Sequence, residues 1–112
     1  MSEIQISNRF WVDKDGKAFL GYGRIRLLEE VSKTGSISKA AKSPGMSYKR
    51  AWQLIQSINE LSDEPIVERS IGGSGGGGSL LTTRGKKIIK EFNRIENLCD
   101  KLLKRELEKC CF

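Results

Sequence analysis

The stretch SISKAAKSPGMSYKRAWQLIQSINEL, Ser36 to Leu61, leaves this chain few ways to fold. Ser36 and Ser47 each stand immediately before a helical pattern, where a serine hydroxyl accepts a hydrogen bond from an N–H that the first turn of a helix leaves orphaned. Between them Pro44 and Gly45 stop the first helix, since proline lacks the donor and glycine admits the backbone of a sharp turn. Ile37, Ala40 and Ala41 share one face of that short helix. The second runs from about Tyr48 to Leu61, with Ala51, Trp52, Leu54, Ile55, Ile58 and Leu61 on a broad apolar stripe. Lys49, Gln53, Gln56, Ser57 and Glu60 occupy its other side. Two helices joined by so short a turn form a helix-turn-helix.

Farther along lies a glycine-rich run, SIGGSGGGGSLLT from Ser70 to Thr82, which taken alone reads as a tether. In a chain of 112 residues a tether there would cut one domain in two and join it to little more than a single helix. Its flanks argue for a folded role. EPIVERS carries the β-branched pair Ile66 and Val67 just after a proline, and SLLT can pair with it as a second strand. A hairpin with a glycine tip, placed after the second helix of a helix-turn-helix, is a wing, spanning about residues 66–82.

Upstream, Ile4, Ile6, Phe10 and Val12 recur with a strand period, and Asp15-Gly16 is a hairpin turn signal before Lys17 to Leu20. Ile25, Leu28 and Val31 then mark a helix from about Gly23 to Lys33 that Gly35 ends. Downstream, Thr82 or Thr83 can cap a continuous helix from about Arg84 to Lys109. Its apolar residues Ile88, Phe92, Ile95, Cys99 and Leu102 are spaced four, three, four and three apart, the seam of a coiled coil, which Leu103 and Leu107 widen. At about 1.5 Å per residue it would extend roughly 40 Å, more than the preceding domain can cover, so a second copy is expected on part of it. The expected class is therefore mainly α with small β: a winged helix-turn-helix over residues 1–82, the helix-turn-helix itself at about 36–61, and a dimerisation helix over 83–112.

The charge says what such a module would meet. Net charge is +6, and between Val31 and Asn59 there is no Asp or Glu while Lys33, Lys39, Lys42, Lys49 and Arg50 fall inside that window. A local basic field of this kind attracts phosphate backbones. Catalysis and metal binding find little support: there is no His, the three cysteines Cys99, Cys110 and Cys111 lack ligand spacing, and the glycine run is followed by Leu80 and Leu81 where a phosphate-binding loop needs Lys. No cofactor is therefore expected; and because no apolar run approaches the roughly 20 residues of a spanning helix, no membrane partner is expected and the cytoplasm is the expected location.

In a helix-turn-helix the second helix enters the major groove, and its first turn must present donors to base edges or phosphates. That turn is SYKR, in which Lys49 and Arg50 offer charged donors and Ser47 and Tyr48 offer hydroxyls. Gln53 and Gln56 can read adenine farther along, while Ser36, Lys33, Lys39, Lys42 and the wing serines Ser70, Ser74 and Ser79 can hold backbone phosphates. Trp52, among Ala51, Leu54 and Ile55, is expected in the core; Tyr48 can point into the groove or back over the short helix. Ile88, Phe92, Ile95, Cys99, Leu102 and Leu103 are the expected dimer interface.

GSISKAAKSPGMSYKRAW, followed by NELSDEPIVERSIGGSGGGGSLLTTRG, resembles the N-terminal DNA-binding domain of the ModE-type molybdate-responsive transcriptional regulators over about residues 4–105. It is similar, more loosely, to the winged helix-turn-helix of LysR-type regulators, with LTTRG at the start of the linker helix. The resemblance implies a homodimer that binds palindromic double-stranded DNA, with Ser70 to Ser79 as the wing and Thr83 onward as the dimer helix. It also implies a C-terminal molybdate-binding module that these 112 residues do not contain, so molybdate binding by this chain is not expected. The competing expectation is a winged helix used as a protein-interaction or dimerisation module, whose recognition face would be acidic or covered.

Overall fold

The computed structural model describes residues 3–70 and 78–112. Strands β1 (Trp11–Lys14) and β2 (Lys17–Gly21) form the N-terminal hairpin, followed by helices α1 (Tyr22–Thr34), α2 (Ile37–Lys42) and α3 (Tyr48–Leu61). Strands β3 (Val67–Ser70) and β4 (Gly78–Leu81) form a second antiparallel hairpin, and helix α4 (Thr83–Leu107) closes the order. This is the winged helix-turn-helix with a C-terminal helix that the patterns predict.

Local chemistry sets the boundaries. Asp15 and Gly16 both take positive φ, 53° and 74°, the backbone a two-residue hairpin turn requires. Residues 3–10 form no strand, so the alternation of Ile4, Ile6 and Phe10 is not a strand signal here. Phe10 instead stacks on Phe92 of α4, ring centroids 4.5 Å apart, and a contact with a helix directs this segment, which pairs with no strand among the described residues. Gly35 ends α1 at φ 69°, its N–H bonded to the Val31 carbonyl. The Ser36 Oγ accepts from Lys39 N–H at 3.2 Å and the Ser47 Oγ from Arg50 N–H at 3.1 Å, so both expected caps form. Of the two threonines, Thr82 caps α4, accepting from Gly85 N–H at 3.1 Å.

The core is one cluster. Leu27, Leu28 and Val31 of α1, Ala40 of α2, Ala51, Ile55 and Ile58 of α3 and Ile66 before β3 are fully covered. Leu20, Leu81 and Phe92 seal its edges, and Ile88 and Ile89 pack against it. The first half of α4 thus shares the core of the winged helix across the boundary expected at residue 82. Gly85 makes that possible, since a Cβ there would lie 2.5 Å from the Ile66 carbonyl oxygen.

Two joints fix the wing hairpin to the helices. Asn59 of α3 accepts at Oδ1 from the N–H groups of Ile66 (2.9 Å) and Val67 (3.2 Å) and donates through Nδ2 to the Val67 carbonyl at 3.0 Å. On the other side Ser79 N–H donates to the Gly35 carbonyl at 2.9 Å. Gly78 must be glycine-sized for this approach, because a Cβ would fall 2.6 Å from that same carbonyl. The wing root is therefore clamped between the end of α1 and the flank of α3.

Candidate nucleic-acid interface

The exposed side of α3 carries three rows of side chains, set by the helical period. The middle row is Lys49, Gln53 and Gln56; Lys49 and Gln53 are exposed and Gln56 is half-buried. On the α1 side, Arg50 lies near Arg24, whose guanidinium also reaches the Ser57 hydroxyl at 3.3 Å. On the wing side, Tyr48, Trp52, Gln56 and Asn59 face Arg69 and Ser79 across an open cleft of about 350 Å³ that Ser36 and Ser38 also line.

Trp52 corrects the expectation that placed it in the core. It stands about 60° around the helix from Ile55 at 100° per residue, off the shoulder of the buried arc, and is 45% exposed. Asn59 and Ile55 hold the wing strand against α3 just below it, so the indole lies in the cleft instead of under it. Tyr48, 56% exposed, takes the outward of its two possible directions and lines the same cleft. Two aromatic faces one helical turn apart thus flank the polar row.

The electrostatics of the α1 side point outward. Burial first, and then the guanidinium of Arg50, push the Arg24 pKa below the usual arginine value. An arginine stays a cation at neutral pH regardless, so two like charges are held together with one partly desolvated. An anion placed between them offsets their repulsion.

The remaining expected residues fall around this face. Ser36 and Ser47 spend an oxygen lone pair on their caps and keep a hydroxyl hydrogen to donate. Lys39 and Lys42 are exposed on α2, one turn apart, beside the buried Ala40 and Ala41. Ser70 Oγ accepts from Gly78 N–H at 3.1 Å at the base of the wing. Ser74 lies outside the described residues. Among the described residues no carboxylate enters the first turn of α3, and Glu68 is the one acidic side chain lining the cleft.

Sequence reasoning missed Arg24, Asn59 and Arg69. Asn59 carried a usable signal, an amide on the buried edge of an apolar stripe, which needs backbone partners to be satisfied. Arg24 carried none, because only the fold brings α1 beside Arg50.

The expected dimer seam divides in two. Phe92, 3% exposed and stacked on Phe10, is covered by its own chain, and Ile88 is partly covered where it packs against the core. Phe92 is thereby removed from the seam, because the N-terminal segment passes over α4 at that level. Beyond it Ile95, Leu98 and Leu102 are exposed, the last two by 55% and 47%, while Cys99 and Leu103 are half-buried. Leu98 was not among the residues expected there.

No described helix is long and apolar enough to cross a membrane. Residues 22–86 match the family described as bacterial regulatory helix-turn-helix protein, lysR family. The chain is 42% identical over 85 residues to the DNA-binding transcriptional dual regulator ModE of Escherichia coli, an overlap of 76% of this chain and 32% of that protein. It is 41% identical over 96 residues to the molybdenum transport protein ModE of Azotobacter vinelandii, covering 86% of this chain and 36% of the relative. With the molybdenum-pterin-binding protein MopB of Rhodobacter capsulatus it shares 44% identity over 86 residues, 77% of this chain and 32% of that one. The chain spans about a third of the length of these curated relatives.

Proposed function

This chain belongs to the bacterial regulatory helix-turn-helix proteins of the lysR family, and from that premise we propose that it is a sequence-specific DNA-binding module of a transcriptional regulator, acting as a homodimer on a palindromic operator. The names of its ModE and Mop relatives support a link to molybdenum metabolism for the regulator as a whole.

One observation carries the reading: the acid-free first turn of α3 stands exposed between the arginine pair Arg24 and Arg50 and an open aromatic cleft walled on its far side by the wing strands. Lys49, Gln53 and Gln56 are the base readers, because lysine donates to guanine acceptors and a glutamine amide matches adenine. Arg24, Arg50, Ser36, Ser47, Lys39 and Lys42 hold phosphates on either side, fixing register without reading sequence. Tyr48 and Trp52 supply apolar faces for sugars or thymine methyl groups, and Arg69 and Ser79 bring the wing onto the next stretch of backbone. Ile95, Leu98, Leu102, Cys99 and Leu103 are the proposed dimer contacts, exposing on the distal half of α4 the apolar edge that a second copy would cover.

The test is selection of bound duplexes from a random pool, followed by titration of the enriched duplex. A palindromic consensus is expected. Lys49→Ala should weaken it by about tenfold to a hundredfold and relax the preference at one position, while Lys42→Ala weakens consensus and scrambled duplexes alike. Absence of enrichment would leave the protein-interaction module as the better reading.

A further inference from the structure

The outward face of α4 carries charge that neither the recognition face nor the dimer seam uses. Lys86, Lys87, Lys90, Arg94, Lys101 and Arg105 are all exposed. At about 100° per residue they fall within one arc roughly 100° wide, and their span of 19 residues corresponds to about 28 Å. Asn97 completes the arc, and no carboxylate enters it anywhere within Thr83–Leu107. None of the ion pairs among the described residues involves these six cations; those of α4 join Arg84 to Glu64 and Lys109 to Glu106. Lys104, at the edge, shares a hollow with Glu96 and Asp100 and is left out.

The stripe starts beside the wing. Lys86 lines one hollow with Leu81 of β4 and with Glu29 and Lys33 of α1; Lys33 is paired with Glu30 at 3.7 Å, so the uncompensated charge begins at Lys86, next to the wing root, and runs along α4. Its chemistry selects among polyanions. The arc itself holds no aromatic or aliphatic anchor, which the centre of a protein interface would need, and the apolar residue that borders it, Leu98, belongs to the proposed seam with a second copy. Regularly spaced lysines and arginines with no apolar element suit a phosphodiester backbone, where affinity comes from counterion release and not from a fitted surface.

We infer that this stripe is a second, sequence-independent track for duplex DNA, engaging the flank beyond the wing of the site held by α3. The inference rests on the DNA-binding reading above. At 3.4 Å per base pair the track corresponds to about 8 base pairs of flanking duplex.

The experiment compares Lys90→Gln/Arg94→Gln/Lys101→Gln with the unaltered chain on two duplexes carrying the selected consensus, one ending at the site and one extended by about 8 base pairs on each side. Helix content and dimer mass are checked first by circular dichroism and sedimentation; glutamine is a good helix former at these exposed positions. On the extended duplex the triple variant should bind roughly tenfold more weakly at about 0.1 M salt, with the magnitude of its salt slope smaller by about 2 to 3 per protomer; on the short duplex both should be unchanged. Equal slopes and affinities on the extended duplex would overturn the track and leave the recognition face standing. Failure of the unaltered chain to bind either duplex would overturn both. If the triple variant loses binding to phosphatidylserine vesicles or polyglutamate but keeps the extended duplex, the occupant is not DNA and the inference fails.

Discussion

Helices α3 and α4 begin alike and end differently. Each starts from a hydroxyl cap, Ser47 or Thr82, and each carries an apolar stripe. The stripe of α3 is consumed inside the chain, with Ala51, Leu54, Ile55 and Ile58 all buried, so what α3 leaves outside is polar or aromatic. The stripe of α4 is covered only as far as Phe92, after which Leu98 and Leu102 stand out. An exposed face of donors calls for a polar partner, and an exposed apolar edge calls for one that can exclude water; the two helices divide the proposed tasks of reading DNA and pairing with a second copy.

The contrast can be broken first where α4 is seated. Gly85→Val forces a Cβ against the Ile66 carbonyl, and the cost should exceed about 3 kcal/mol, seen as loss of the thermal transition. An unchanged melting temperature would mean that the first half of α4 is not part of the core. Next comes the joint between α3 and the wing. Asn59→Ala removes three hydrogen bonds and strands two backbone N–H groups, so denaturant unfolding should report a loss of about 2 to 3 kcal/mol.

The distal half of α4 gives a smaller effect of another kind. Leu98→Glu should leave the melting curve of the protomer near its original position while raising the dimer dissociation constant by about tenfold or more, measured by sedimentation equilibrium. Phe92→Ala, by contrast, should act on the fold of the protomer itself, since that ring is stacked on Phe10. On α3 the smallest effect is expected from Trp52→Ala. A core tryptophan would cost about 3 to 5 kcal/mol, whereas one lying in the cleft should cost about 1 kcal/mol and weaken duplex binding severalfold.

The sequence exposed the fold because its signals are local. Hydroxyl caps, the Asp15-Gly16 turn and the stop at Gly35 each act within a few residues, and all form where expected. Trp52 and Phe92 were misread for a shared reason: apolar character shows that a side chain can be buried, and only the packed neighbours decide whether and against what. The arc of α3 closes at Ile55, one step short of Trp52, while Phe92 meets Phe10, a partner 82 positions away in the chain. Arg24 was invisible for the same long-range reason. Asn59 was legible in principle, as an amide in a place that demands partners.

The division between the two helices is tested most directly by backbone amide chemical-shift mapping of the isotope-labelled protein, titrated with the selected duplex cut at the ends of its consensus. The largest changes are expected at Tyr48, Lys49, Arg50 and Gln53, with a second group at Ser36 and Ser79, and small changes at Ile95, Leu98 and Leu102. Changes concentrated on the distal half of α4, with the first turn of α3 left in place, would contradict this division.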